Sequence, residues 1–237
     1  MQRLSHSDAS RHFRPHQFLA REGEVQSHLF LIQEGWAYRY RLLSDGRRQI
    51  CSLYLPGDNC GVEWLQGQPA PQPVIALTNV RAISRRCSDI EQACEGDSRL
   101  RADMWRQMAE TMRRQSDWIV NLGRKTAIER LSYLFCDLYH RLAKSGLTYG
   151  DQFAMPLTQL DLADITGLTA VHVNRMLQDL RNQGMVELQS KWMRLPDIAA
   201  LQRLALYPEP SSTTAPAARF ARSRDKERPA EAATIWV

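Results

Sequence analysis

No stretch of this 237-residue sequence approaches the ~18 consecutive apolar residues that a membrane-spanning helix needs. The N-terminal segment MQRLSHSDASRHFRPHQF also lacks the apolar core of a signal peptide. We therefore expect a cytoplasmic protein that makes no membrane contact.

Cysteine is scarce, and its spacing fits no metal cluster. The five cysteines, at positions 51, 60, 87, 94 and 136, form an odd set without a C-x-x-C pair. This spacing argues against a structural zinc site and against an iron–sulfur cluster. It predicts reduced thiols. Redox pairing of Cys51 with Cys60, or of Cys87 with Cys94, is the alternative.

Histidine is missing from residues 29–90, where short strands are expected. A cupin-type metalloenzyme needs an H-x-H pair on such strands, so this class is disfavoured. No G-x-S-x-G or Ser–His–Asp arrangement is visible either. We interpret His12, His16 and His28 as surface residues rather than as haem or metal ligands. The sequence predicts no enzyme, no metal and no cofactor.

The first part of the chain alternates short apolar runs with turns. HLFLIQEGWAYRYRLL (28–43) turns at Glu34-Gly35, and RRQICSLYL (47–55) follows the turn Ser44-Asp45-Gly46. A Pro-rich loop, QGQPAPQP, precedes VIALTNVRAIS (74–84), which reads as one further strand. Strands of this length and spacing predict a small antiparallel sandwich or barrel.

From about Ser98 the apolar period changes to that of a helix. One stripe recurs at steps of three or four on a helix spanning 97–123: Leu100, Met104, Met108, Met112, Ile119 and Leu122. The stripe packs either on its own sandwich or on the same helix of a second subunit. The two contacts are compatible if they occur at different positions along the helix. We favour dimerisation. A second amphipathic helix, 126–146, stops at Gly146.

The segment LTQLDLADITGLTAVHVNRMLQDLRNQGMVEL (157–188) predicts two helices around a glycine turn. Thr158 can cap the first helix, Gly167 supplies the turn and Thr169 can cap the second. MVELQSKWMRL (185–195) then reads as two short strands around a Gln-Ser-Lys turn. Helix, turn, helix and hairpin is the order of a winged helix-turn-helix, whose second helix enters the DNA major groove.

Polar residues on the second helix remain outward when Val173, Met176 and Leu177 point inward. Arginine can donate two hydrogen bonds to guanine, and asparagine can pair with adenine. The net charge of +5 suits a polyanionic partner. Two alternatives are a solvated face in another helical domain and a dimeric interaction module without DNA. The predicted DNA-binding set is Thr158, Thr169, Ala170, Val171, His172, Asn174, Arg175 and Gln178.

These motifs, with LPGD (55–58) and the long central helix, resemble the Crp/Fnr superfamily of bacterial transcription regulators over residues 13–206. The resemblance implies an α+β protein. It has a cyclic-nucleotide-binding-like antiparallel β jelly-roll sandwich (1–96), a dimerisation helix (97–123) and a C-terminal winged helix-turn-helix (124–206). Residues 207–237 read as a disordered tail.

By the same resemblance, the partners are a second copy of the chain, a pseudo-palindromic double-stranded DNA operator and, for an activator, RNA polymerase. Arg175 matches the family arginine that contacts guanine, with His172 and Asn174 at neighbouring reading positions. Val171 stands where several members have a base-contacting glutamate, so the resemblance does not fix the operator. The V-H-V-N-R subgroup is closer than the cyclic-AMP receptor.

The effector is not identified by the sequence. Cyclic-AMP-binding members carry a G-E-L turn and, about ten residues later, an Arg-Ser pair that neutralises the cyclic phosphate. Here no arginine occurs between Asp58 and Arg81, and Glu63 is one place out of register. We therefore expect a regulator that does not depend on cyclic AMP. Control by cysteine redox state or by another small ligand is the alternative.

Overall fold

The computed structural model describes residues 9–208. The predicted tail lies outside this range from residue 209 onward. No helix within residues 9–208 is both long and apolar enough to cross a membrane.

The first part of the chain forms a sandwich of two antiparallel four-stranded sheets. The strands are β1 Ala9–Phe13, β2 Phe18–Ala20, β3 His28–Glu34, β4 Ala37–Leu42, β5 Arg48–Tyr54, β6 Asn59–Cys60, β7 Val74–Ala76 and β8 Val80–Arg86. The sheet orders are β1-β8-β3-β6 and β2-β7-β4-β5. The predicted turn at Glu34-Gly35 joins β3 to β4, and the predicted strand 47–55 corresponds to β5.

The prediction of one strand over 74–84 is wrong. The chain leaves β7 in the second sheet and enters β8 in the first, with a turn at residues 77–79 between them. The backbone N–H groups of Leu77 and Thr78 both donate to the carbonyl of Trp36, at 2.8 and 3.2 Å. These tertiary hydrogen bonds bend the chain there, which a continuous apolar pattern does not reveal.

Three helices follow the sandwich: α1 Cys87–Gly96, α2 Ser98–Arg124 and α3 Ala127–Lys144. The Asp97 side chain caps α2 by accepting from the N–H groups of Arg99 and Leu100. Thr126 and Glu129 form a capping box at the start of α3. The capping box therefore sets the boundary between α2 and α3 at Lys125–Thr126.

The last part of the chain is a winged helix-turn-helix. Its small sheet has the order β11-β12-β10-β9 and packs beside α3. Its hydrophobic core is continuous with the outer face of the second sandwich sheet, through Tyr38, Ile50 and Leu53. The elements are β9 Thr148–Tyr149, β10 Gln152–Ala154, α4 Gln159–Thr166, α5 Ala170–Asn182, β11 Glu187–Gln189, β12 Trp192–Arg194 and α6 Ile198–Leu204. The predicted fold class is confirmed.

Candidate DNA-binding surface

The helix-turn-helix forms from local signals that the sequence displays. Thr158 caps α4: its Oγ1 accepts from the backbone N–H of Asp161 at 3.1 Å. Gly167 ends α4 with φ 67°, a left-handed conformation that glycine adopts without a Cβ penalty. The Thr169 hydroxyl then accepts from the backbone N–H of His172 at 3.2 Å and starts α5. Both predicted caps and the predicted turn are confirmed.

Helix α5 separates an inward apolar face from an outward polar face. Val173, Leu177 and Leu180 are fully buried. Val171 is 82% exposed, and Ala170 is half-buried at the start of the helix. The remaining predicted residues that face solvent are Thr158, Thr169, His172, Asn174, Arg175 and Gln178. The structure thus brings the predicted set together on one surface of α4 and α5.

Two further features of this domain were not in the predicted set: a contact made by Gln159 and the turn of the β11–β12 hairpin. Gln159 Nε2 lies 3.4 Å from Asn174 Oδ1, so α4 touches one of the predicted DNA-binding residues of α5. Ser190 and Lys191 turn the β11–β12 hairpin with φ 50° and 63°. Paired positive φ values fit the tight hairpin turn that the right-handed strand twist favours. The predicted Gln-Ser-Lys turn already placed Lys191 at a hairpin tip, and that position is the sequence signal that could have identified it.

Two cationic side chains join the end of α2 to the C-terminal domain, one at α4 and one at the end of α6. Arg130 on α3 donates to the carbonyl oxygens of Leu122 and Thr166, each at 2.8 Å, and so joins the end of α2 to the end of α4. Lys125 Nζ donates to the carbonyl of Ala205 at 2.8 Å and lies 3.9 Å from the Tyr133 ring centroid. Burial lowers the pKa of Lys125. The junction is therefore held by directional contacts.

The LPGD turn anchors the DNA-binding domain to the sandwich. Arg141 on α3 donates to Asp58 Oδ2 at 2.6 Å and to the carbonyl of Leu53 at 2.7 Å. Burial by itself would lower the pKa of Arg141, but the carboxylates of Asp58 and Asp137 outweigh burial and raise it. The guanidinium therefore stays charged although most of the side chain is shielded from solvent.

The residues of the predicted dimerisation stripe on α2 lie in two different environments. Leu100 and Met104 are buried, with Met104 in a cluster that includes Leu29 of the sandwich and Ile90 of α1. Further along, Met108, Met112 and Ile119 are 38, 68 and 72% exposed, and Leu122 is half-buried. Trp105, which the predicted stripe omits, is 64% exposed. The unpartnered face therefore runs from Trp105 to Ile119.

Two family models and several known proteins match this chain. A family model for the cyclic nucleotide-binding domain matches residues 10–97, and one for the Crp-like helix-turn-helix domain matches residues 129–204. The nitrogen fixation regulation protein FixK of Azorhizobium caulinodans is 29% identical over 77% of this chain and 73% of its own. The fumarate and nitrate reduction regulatory protein of Escherichia coli K12 is 26% identical over 80% and 75%.

The structure of FixK2 from Bradyrhizobium japonicum superposes with a TM-score of 0.75 and 28% identity, covering 83% of this chain and 96% of that one. The chain belongs to the Crp/Fnr superfamily. It is a transcription regulator of the Crp/Fnr type with a helix-turn-helix DNA-binding domain.

In this Crp/Fnr protein a tryptophan occupies the interior of the sandwich. Trp64, on a short 3-10 helix (Val62–Gly67), is fully buried and packs edge-on against Phe30 with ring centroids 6.2 Å apart. A Cβ added at Gly61 would lie 2.0 Å from the Trp64 ring, so glycine permits this close approach. Glu63 is bound by Arg39 at 2.7 Å. The segment that corresponds to the phosphate-binding stretch of cyclic-AMP-binding members therefore supplies core packing and an internal ion pair.

The cysteines of this Crp/Fnr protein are all free thiols. Cys60, Cys87 and Cys136 are buried, and burial raises the pKa of Cys136 to about 12. Burial also raises the pKa of Cys60, Cys87 and Cys94. A raised pKa keeps a thiol protonated and slow to react. Among residues 9–208, no group of three or more His, Cys, Asp or Glu side chains could hold a metal ion.

Proposed function

We propose that this protein binds a pseudo-palindromic operator as a homodimer, with Arg175 as the principal base-reading residue. The proposal rests on one observation: α5 presents Arg175, Asn174 and His172 to solvent while its apolar face is buried. A recognition helix reads bases with residues near its N-terminus. Arg175 can donate two hydrogen bonds to guanine O6 and N7, and Asn174 can pair with adenine.

We expect the N-terminal ends of α4 and α5 to face the DNA backbone. Thr158 and Thr169 are exposed N-caps of α4 and α5. Helix N-termini carry partial positive charge and favour phosphate oxygens. Lys191 at the wing tip adds a positive charge on the same domain. These contacts position the protein, whereas α5 supplies the sequence discrimination.

The domain organisation that we propose is a sensor domain (1–96), a dimerisation helix (97–123) and a DNA-binding domain (124–206). Exposed apolar residues on α2 (Trp105, Met108, Met112 and Ile119) form the face that pairs with a second copy. Pairing would set the two recognition helices ~34 Å apart, one turn of DNA. The protein would act in the cytoplasm as a regulator and not as an enzyme. It would contact RNA polymerase where it activates.

Cyclic AMP independence is also part of the proposal. Trp64 fills the sandwich interior, and Glu63 is already paired with Arg39. A cyclic nucleotide would have to displace a buried indole and would find no arginine on the loop that follows.

Selection from a random DNA pool by the purified full-length protein tests this function. We expect an inverted repeat whose half-sites are centred about 10 base pairs apart, and unchanged enrichment when cyclic AMP is added. Enrichment of no sequence, or of a single unrepeated half-site, would contradict the homodimeric reading. A cyclic-AMP-dependent motif would contradict effector independence.

A further inference from the structure

Two carboxylates on α4 face the sensor domain and share one arginine. Asp161 and Asp164 lie one helical turn apart, with side chains 10 and 17% exposed. Arg48, at the start of β5, donates through Nε to Asp164 Oδ2 at 2.6 Å and through Nη2 to Asp161 Oδ1 at 3.0 Å. The sensor domain thus supplies the cation that binds both carboxylates of α4, the first helix of the helix-turn-helix.

Arg48 is itself fixed by its surroundings. Its Nη1 donates to Tyr38 Oη at 2.8 Å, and its Cζ lies 5.3 Å from the Tyr38 ring centroid. The next residue, Gln49, donates through Nε2 to the carbonyl of Ile165 at 3.0 Å. The start of β5 is therefore bound along α4, and a displacement of the β4–β5 hairpin would withdraw the arginine from both carboxylates.

Asp161 connects this ion pair to the DNA-facing end of α4. While Oδ1 binds Arg48, Oδ2 accepts from the Thr158 hydroxyl at 2.6 Å and from the Thr158 backbone N–H at 3.0 Å. Thr158 is exposed and belongs to the proposed DNA-binding set. The Asp161 charge therefore lies directly behind Thr158, at the end of α4 that belongs to the proposed DNA-binding surface.

We infer that Arg48 is a positioning residue for DNA binding, because it neutralises Asp161 and Asp164 and lets α4 lie against the phosphate backbone. Without this arginine, two uncompensated negative charges on α4 would repel the phosphates. The affinity for DNA then depends on where the β4–β5 hairpin of the sensor domain sits. This inference rests on the proposed function, since it requires α4 to approach DNA.

The test measures the affinity of the full-length protein for the selected operator and for a scrambled duplex, by fluorescence anisotropy over a salt series. We expect Arg48→Ala to weaken binding to both duplexes about tenfold at low salt. The ratio to wild type should shrink as salt screens the repulsion. Arg47→Ala is the matched control, because exposed Arg47 pairs with Asp45 of its own hairpin. We expect the control to bind like wild type.

Removing one carboxylate tests whether Arg48 acts by neutralising negative charge or only by linking the two domains. Arg48→Ala combined with Asp164→Asn should recover most of the lost affinity, and Asp164→Asn alone should bind at least as well as wild type. Asp161 is left intact because it caps α4.

Three outcomes would overturn the inference: normal affinity in Arg48→Ala, no recovery in the double variant, or loss of affinity in Asp164→Asn. The affinity of Asp164→Asn tests the inference even if Arg48→Ala does not fold, because it is measured in a protein that keeps Arg48. Failure of the wild-type protein to bind any duplex would instead overturn the proposed function together with this inference.

Discussion

Replacing Trp64 by alanine tests whether protein side chains fill the sandwich interior. Trp64 is fully buried between the two sheets, in a cluster that includes Phe30, Tyr54 and Val74. Truncating a buried aromatic side chain of this size to alanine costs about 3–5 kcal/mol, because apolar burial is lost and a cavity remains. Native proteins are stable by only about 5–15 kcal/mol, so the variant would lose a large share of that stability.

Urea unfolding followed by far-UV circular dichroism measures this loss. We expect a much lower unfolding midpoint for Trp64→Ala, a smaller decrease for Trp64→Phe, and little change for Trp192→Ala. Trp192 is the control because its side chain lies on the wing and the residue is 40% exposed. Equal midpoints for Trp64→Ala and Trp192→Ala would refute the reasoning. So would a rise in the wild-type midpoint on addition of cyclic AMP.

Two further predictions concern the dimer and the pH response. Ile119→Glu should weaken dimerisation by about 2 kcal/mol or more, because it places a carboxylate on the exposed apolar face of α2; sedimentation equilibrium measures this. Val120→Glu is the control, because Val120 is also exposed, at 53%, but lies about 100° around the helix from Ile119; equal effects would contradict the proposed face. Burial lowers the pKa of His140 below 6.5, so the unfolded chain takes up the proton more readily. The thermal midpoint should therefore fall as the pH decreases from neutrality to below 6.5. The fall should be smaller in His140→Phe, and an identical pH profile would contradict a half-buried neutral imidazole.

The helix-turn-helix could be predicted from sequence because its signals are local. The caps Thr158 and Thr169, the left-handed Gly167 and the spacing of Val173 and Leu177 all act within one or two helical turns. The structure places the predicted outward residues on one surface for the same reason. That they contact DNA remains a prediction.

The features that the sequence concealed depend on contacts between distant residues. Arg48 meets Asp161 and Asp164 across more than a hundred positions of sequence, and no local pattern indicates that pairing. The burial of Trp64 in a loop rich in glycine and proline was equally hidden, because the fold and not the neighbouring residues directs its side chain inward. Trp105 was missed because it directly follows Met104 and so falls outside the steps of three or four counted from Leu100.

The helices at the edges of the domains were also not predicted. Helix α1 (Cys87–Gly96) carries only Cys87 and Ile90 as buried residues, so its apolar pattern is short. Helix α6 (Ile198–Leu204) has seven residues and one buried side chain, Leu201. Elements this short depend on tertiary packing more than on helix propensity.

The central claim is sequence-specific DNA recognition by α5, and Arg175→Ala tests it most directly. The measurement is the ratio of affinities for the selected operator and a duplex with the guanines of both half-sites replaced, for wild type and variant under the same salt conditions. Loss of a bidentate contact costs about 1–3 kcal/mol of discrimination at each half-site. We expect the variant to keep its thermal midpoint and its affinity for the substituted duplex but to lose its preference for the operator. A variant that still discriminates the two duplexes as the wild type does would contradict base reading by Arg175.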